Sequence, residues 1–140
     1  MADKGFRLTV FTQEKAVLDQ QALSIVAPGS EGYLGVLRDH APLVTQLMPG
    51  KLTVKDLSGA EAVYVVSGGF LEVNHNTVTI LADALERPED IDANRAEAAA
   101  RRARERLMKR SSDSDVDRAE AALRRALNRL KARRDVLSAR

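Results

Sequence analysis

Gly50-Lys51 joins the two residue types that close a phosphate-binding loop. Leu52, however, stands where such a loop needs Ser or Thr, and the upstream glycine is missing. Gly29, Gly32 and Gly35 recur at three-residue spacing without the strand and helix flanks of a dinucleotide fingerprint, so they read as turn and bulge positions in a loop. Asp113, Asp115 and Asp117 mimic the opening of a calcium loop. Arg118 takes the place of the required glycine and Arg124 that of the bidentate glutamate, which leaves helix capping as the better reading. His40 and His75 are the only histidines, there is no cysteine, and the two fall in separate loops, so neither a metal centre nor a triad is expected. His40 reads as structural. Without a nucleophile, base or metal constellation, the sequence argues against an enzyme and supplies no catalytic residue.

The remaining chemistry is positive charge, and it is unevenly placed. Residues 1–86 hold 6 Lys+Arg against 10 Asp+Glu, a net −4, whereas residues 87–140 hold 16 against 10, a net +6. Clustered Lys and Arg give non-specific affinity for phosphates, which keeps a nucleic-acid-binding or free nucleotide-sensing module with a basic helical arm as the alternative function. No aromatic is interleaved with these arginines, and the segment's acidic residues make a solvated charged face the plainer account of most of them. No nucleic-acid partner is expected on the preferred reading.

These charges need elements to position them. All five aromatics (Phe6, Phe11, Tyr33, Tyr64, Phe70) and all eight glycines precede Pro88, while Ala, Arg and Leu dominate the C-terminal segment. This places a boundary near Pro88, with one domain over 1–86 and another over 87–140. In the first, the short runs FRLTVF, ALSIVA, PLVTQL, KLTVKDL, EAVYVVSG, GFLEV and TVTILAD recur between turn residues, which predicts a β-sandwich or flattened barrel. Alternation over Lys51–Leu57 and Thr77–Leu81 predicts strands with one wet face, and the run AVYVV predicts burial on both sides.

In the second domain, Pro88 and Asp90 supply first-turn and N-cap signals for a helix that runs as IDANRAEAAARRARERLMKR, through Arg110. Ser111 to Ser114 interrupt it, and a second helix capped by Ser114 or Asp115 comes next. The short connection makes an antiparallel hairpin, so the fold class is α+β: an N-terminal β-sandwich, then a C-terminal two-helix hairpin. Ala96, Ala100, Ala103 and Leu107 mark a stripe on one helix, and Val116, Ala119, Leu123, Ala126 and Leu130 on the other. Small residues allow close approach but bury little area, against an ordering cost of about 1–2 kcal/mol per residue, so the hairpin is expected to be able to open.

The chain begins MADKGFRLTV, without the apolar stretch of a signal peptide, and no run approaches the ~20 apolar residues that span a bilayer. A cytoplasmic setting is the default, and any membrane association goes through partners without direct lipid insertion.

The run from Gly29 to Gly50, GSEGYLGVLRDHAPLVTQLMPG, and the run from Val66 to Asp83, VSGGFLEVNHNTVTILAD, resemble the epsilon subunits of F-type, proton-driven ATP synthases. Nearly the whole chain fits that family's layout. The resemblance implies a non-catalytic central-stalk subunit with a β-sandwich docked on the rotor, touching the γ subunit and the polar loops of the membrane c-ring. It also implies a mobile hairpin that inhibits ATP hydrolysis, its positive charge suited to acidic surfaces on the catalytic α/β hexamer. The location so implied is peripheral, on the cytoplasmic face of the bacterial inner membrane, or the stromal face of a thylakoid for a plastid host. Glu31, in the GSEG loop, and His40, as its neighbour, are the rotor contacts carried over.

Ile91-Asp92-x-x-Arg95-Ala96 is similar to the ATP-binding signature of bacterial epsilon subunits, and Glu86, Arg102, Arg125 and Arg129 match the remaining positions. The resemblance thus implies ATP as a regulatory ligand, with no cofactor. Spacing is compatible: Arg95 and Arg102 are seven apart on one helix face, Arg125 and Arg129 four apart on the other helix. With a turn near residue 112 or 113, Arg95 lies level with Leu130 and Arg102 with Leu123, which puts the four guanidinium groups at similar heights. Four converging cations with only Asp92 and Glu86 nearby repel one another, and a polyanion relieves that repulsion through bidentate phosphate contacts.

Overall fold

The computed structural model describes residues 5–109 and 113–138, which fall into two units, Met1–Glu86 and Arg87–Arg140. The first is built from β1 (Phe6–Phe11), β2 (Ala16–Ala22), β3 (Ser24–Gly29), β4 (Gly32–Leu37), β5 (Leu43–Lys55), β6 (Glu61–Asn74), β7 (Thr77–Ala82) and the two-residue β8 (Leu85–Glu86). Hydrogen bonding runs β2-β1-β7-β6-β5-β3-β4, with β8 on β6. All neighbours are antiparallel except β1 and β7.

Two layers form because β5 and β6 are long enough to serve both. The Gly69–Asn74 half of β6 pairs with β7, whereas the Thr53–Lys55 end of β5 pairs with β3. The bend falls where sequence weakens a straight ladder. Pro49, which cannot donate, sits opposite Ser67, and Gly68 and Gly69 come next on β6 at φ +116° and +138°. A Cβ on Gly69 would strike the Leu81 carbonyl, so this position excludes side chains on both space and backbone grounds. PLVTQL and KLTVKDL are therefore one strand, and so are EAVYVVSG and GFLEV, where the runs of sequence suggest four.

The core obeys the period-2 pattern. Phe6, Leu8 and Val10 from β1 meet Ile25, Leu52, Val54, Tyr64, Leu71, Val73, Val78 and Ile80 in one buried cluster. The expected one-sided alternation holds in β5 and β7; of AVYVV, expected to be buried on both sides, Tyr64, Val65 and Val66 are buried in succession, while Val63 is half-buried and Ala62 exposed. Besides the two-residue β8, two strands escape the sequence reading. β2 (AVLDQQA) is polar enough to pass for a loop; it is held at the sheet edge by its antiparallel ladder to β1, across which the exposed Arg7 guanidinium donates to Asp19 at 3.0 and 3.1 Å. β4 contains Gly35, which its spacing suggests is a loop glycine; it pairs with Val26, so GYLGVL is an exposed strand rather than a loop.

The second unit starts with a 3₁₀ turn, Pro88–Asp90, followed by α1 (Ala93–Lys109) and α2 (Asp113–Ser138). Asp92, not Asp90, caps α1: its Oδ1 accepts from the Arg95 amide at 3.1 Å, while Asp90 ends the 3₁₀ turn. Residues 110–112, which include Ser111 and Ser112, lie outside the described residues. Ser114 and Asp115 fall inside the first turn of α2 instead of capping it. The helices pack through Ala96, Ala100 and Ala103 of α1 and Ala119, Ala126 and Ala132 of α2, all buried. Leu107, Val116, Leu123 and Leu130 stay half-buried, so the interface is narrower than the full stripes suggest.

Candidate functional site

The Ile91-Asp92-x-x-Arg95-Ala96 motif has a local structural role at every position but one. Ile91 is buried and its amide donates back to the Pro88 carbonyl, closing the 3₁₀ turn. Asp92 caps the helix with its side chain, and its carbonyl accepts from the Ala96 amide at 3.0 Å, the first α-helical bond. Ala96 is fully buried, where a larger side chain would separate the helices. Only the Arg95 side chain projects outward, without a structural task that its burial explains.

Arg102 and Arg125 are likewise exposed, and Arg129 is half-buried. α1 ends at Lys109 and α2 starts at Asp113; of the positions expected for the turn, residue 113 is the first of α2 and residue 112 lies outside the described residues, so levels across the hairpin are counted back from the two helix ends. Arg95 then lies level with Leu127, and Arg129 with Ala93, about 3 Å apart along the axis; Arg102 and Arg125 differ by about 7.5 Å. Both helices thus offer arginines over the same stretch of the hairpin. Glu86, the remaining candidate, ends β8 opposite Val65 in the first unit.

Arg133 makes a contact that sequence reasoning passes over. Its Nη1 donates to the Ile91 carbonyl at 2.6 Å and more weakly to the Glu89 carbonyl at 3.5 Å. Among the sixteen basic residues of 87–140 nothing in the local sequence singles it out; its role depends on which residues the hairpin brings level.

On the sandwich, Glu31 sits with Ser30 at the exposed tip of the β3–β4 hairpin, anchored by the Ser30 amide on the Gln46 carbonyl. His40 lies in the separate loop before β5, half-buried, with Nδ1 2.7 Å from the Ala41 carbonyl. A second surface is apolar. Phe11, Leu81 and Phe70 are direct cross-strand neighbours on β1, β7 and β6, and all three side chains face solvent. On β5, exposed Val44 is two residues from Gln46, the partner of Phe70. Val26, Tyr33, Leu37 and Leu57 are exposed elsewhere on the sandwich, but a row contiguous across neighbouring strands is the kind of patch that serves in docking. Among the described residues no group of acidic, His or Cys side chains could hold a metal, and no helix is long and apolar enough to cross a membrane.

Residues 5–88 match the family described as the beta-sandwich domain of the ATP synthase Delta/Epsilon chain, and residues 89–133 match its long alpha-helix domain. The chain belongs to the ATP synthase delta/epsilon chain family. It is 53% identical over 110 residues to the ATP synthase epsilon chain of Pelotomaculum thermopropionicum, covering 79% of this chain and 81% of that one. The epsilon chain of Moorella thermoacetica is 52% identical over 106 residues, 76% of this chain and 79% of its own length. Among solved structures, a chain of the Euglena gracilis mitochondrial ATP synthase, determined as OSCP/F1/c-ring, superimposes with TM-score 0.78 at 29% identity, covering 91% of this chain and 81% of that one. A chain from the Tetrahymena thermophila central stalk/c-ring structure shares the fold alone, with TM-score 0.62 at 19% identity over 95% and 99% of the two chains. The epsilon-chain family accounts for both units, the sandwich and the hairpin.

Proposed function

We propose that this chain is a non-catalytic rotor subunit of an F-type ATP synthase, with a sandwich that docks on the central stalk and a hairpin that restrains ATP hydrolysis and is held closed by ATP. The γ subunit is the partner suited to the apolar Phe11–Leu81–Phe70 row, since an apolar face that size is stabilised when another protein surface covers it. Glu31, at its exposed hairpin tip, suits the polar loops of the c-ring, with His40 in support. The setting is the membrane's cytoplasmic face, reached through these partners.

The observation that carries the regulatory part is the asymmetry of the hairpin. Its helices touch through alanines, which bury little area, while Arg95, Arg102, Arg125 and Arg129 sit over one stretch of both helices. A polyanion bridging the arginines would add to the closed state what the alanines do not supply. It can do so only by as much as its affinities for closed and open forms differ. Opened, the basic hairpin would suit acidic surfaces on the catalytic hexamer.

Isothermal titration of the full chain with ATP tests this. Saturable binding is expected, and Arg95→Ala or Arg129→Ala should weaken it about tenfold or more, since each removes a charge-assisted phosphate contact. Lysine replacements should restore only part, because an ammonium lacks the planar fork. Absence of saturable binding at millimolar ATP returns the arginines to a solvated face.

A further inference from the structure

Arg133 lies eight residues after Arg125 and four after Arg129, hence on the same face of α2. Its neighbours Lys131 and Arg134 are exposed, Ala132 is buried, and Arg133 itself is half-buried, turned toward the start of the unit. There it meets two main-chain carbonyls, Ile91 at 2.6 Å and Glu89 at 3.5 Å. The Ile91 carbonyl precedes α1, and the amide that would reach it from Arg95 is taken by the Asp92 cap. Arg133 therefore supplies the donor that the capped helix cannot, as buried main-chain acceptors require.

We infer that Arg133 is a clasp. Its charged hydrogen bond to the Ile91 carbonyl fastens the far end of α2 to the 3₁₀ turn and the first turn of α1, and it sets how readily the hairpin opens, with or without nucleotide. The site is the open end of the hairpin, where the two helices are farthest from their covalent connection and would separate first. The packing beside it is made of Ala96, Ala132 and the buried side chain of Ile91, a small apolar contact to which one charge-assisted bond adds appreciably in controlling the closed state. Because the contact is to main chain, side-chain changes at positions 89 and 91 would leave the acceptor in place.

The test is amide exchange of the full chain without nucleotide, comparing wild type with Arg133→Met, Arg133→Lys and, as a charge-matched control on the exposed face of α1, Arg101→Met. Arg133→Met keeps a stem of similar length and removes every donor. It should speed exchange in residues 91–100 and 126–135 about tenfold or more while the sandwich amides are unchanged. Arg133→Lys should fall between it and wild type, and Arg101→Met should match wild type. Equal exchange in Arg133→Met and Arg101→Met overturns the clasp. If Arg133→Met loses its helical signal altogether, the lysine variant decides: partial protection supports the clasp, and protection no better than in the methionine variant overturns it.

Discussion

Asp39 and Asn76, 37 residues apart in sequence, hold each other through two hydrogen bonds: the Asp39 amide donates to Asn76 Oδ1 at 2.6 Å, and Asn76 Nδ2 donates to Asp39 Oδ1 at 3.0 Å. Both residues have left-handed backbone, φ +66° and +57°, as does His75 at +47°. Asn and Asp tolerate that region because their short side chains bond locally. Here the two turns stabilise each other, and the Arg7 amide adds a bond to the Asn76 carbonyl, which ties in the start of β1.

Asn76→Ala should therefore destabilise the sandwich by about 1–3 kcal/mol, through two lost bonds and a Cβ without local compensation at positive φ. Asn76→Gly, which loses the bonds but relieves the backbone, should cost less. Thermal unfolding of the full chain distinguishes them, and an alanine variant at least as stable as the glycine one would contradict this role for Asn76.

The β5–β6 turn should be sensitive to acid. The Ser58 hydroxyl donates to Asp56 Oδ1 at 2.6 Å, and the Ser58 and Ala60 amides donate at 2.9 and 3.1 Å. These bonds hold the Asp56 carboxyl below its ordinary value, the Ser58 hydroxyl contributing most. A folded pKa below the unfolded one means stabilisation that is complete above the unfolded carboxylate range and lost as pH falls through the folded value. The stability gap between wild type and Asp56→Asn in urea unfolding should narrow steadily from about pH 6 to about pH 3; parallel curves would rule the mechanism out.

Asp92 serves as cap and as candidate ligand, and two substitutions separate the roles. Asp92→Ala should cost about 1 kcal/mol of local helix stability and speed exchange in the first turn of α1 roughly fivefold. Asp92→Asn, which caps about as well, should retain the wild-type protection. Loss of ATP affinity in the asparagine variant then belongs to the carboxylate's charge rather than to fraying.

Removing residues 87–140 should leave a sandwich that folds and still binds γ, because the buried cluster of Phe6 through Ala82 lies wholly within the first unit. A complex carrying the shortened chain should synthesise ATP yet hydrolyse it faster than the complete one. Circular dichroism, γ binding and ATPase rates measure the three parts, and unchanged hydrolysis would contradict the restraining role.

Local physics made much of this protein legible in its residues. Period-2 alternation identified β5 and β7, because one face of each strand must be dry. The alanines placed at the helix contact are the buried ones, because only they let two helices approach closely. The arginine spacings came from helix geometry alone.

Other features were decided by the tertiary structure. β2 is polar and β4 is glycine-containing and exposed; both are strands because a neighbouring edge supplies hydrogen bonds that composition does not reveal. Pro49 and Gly68-Gly69 divide strands on paper, yet in the fold they bend two continuous ones across both layers. Asp92 displaced Asp90 as the cap because a 3₁₀ turn used the first signal. Arg133 became distinct from the other arginines only when α2 brought it level with Ile91, since a bond to a main-chain carbonyl leaves no trace in side-chain pattern. Sequence determined which residues could be buried or charged, and the three-dimensional pairing decided which of those charges met a partner.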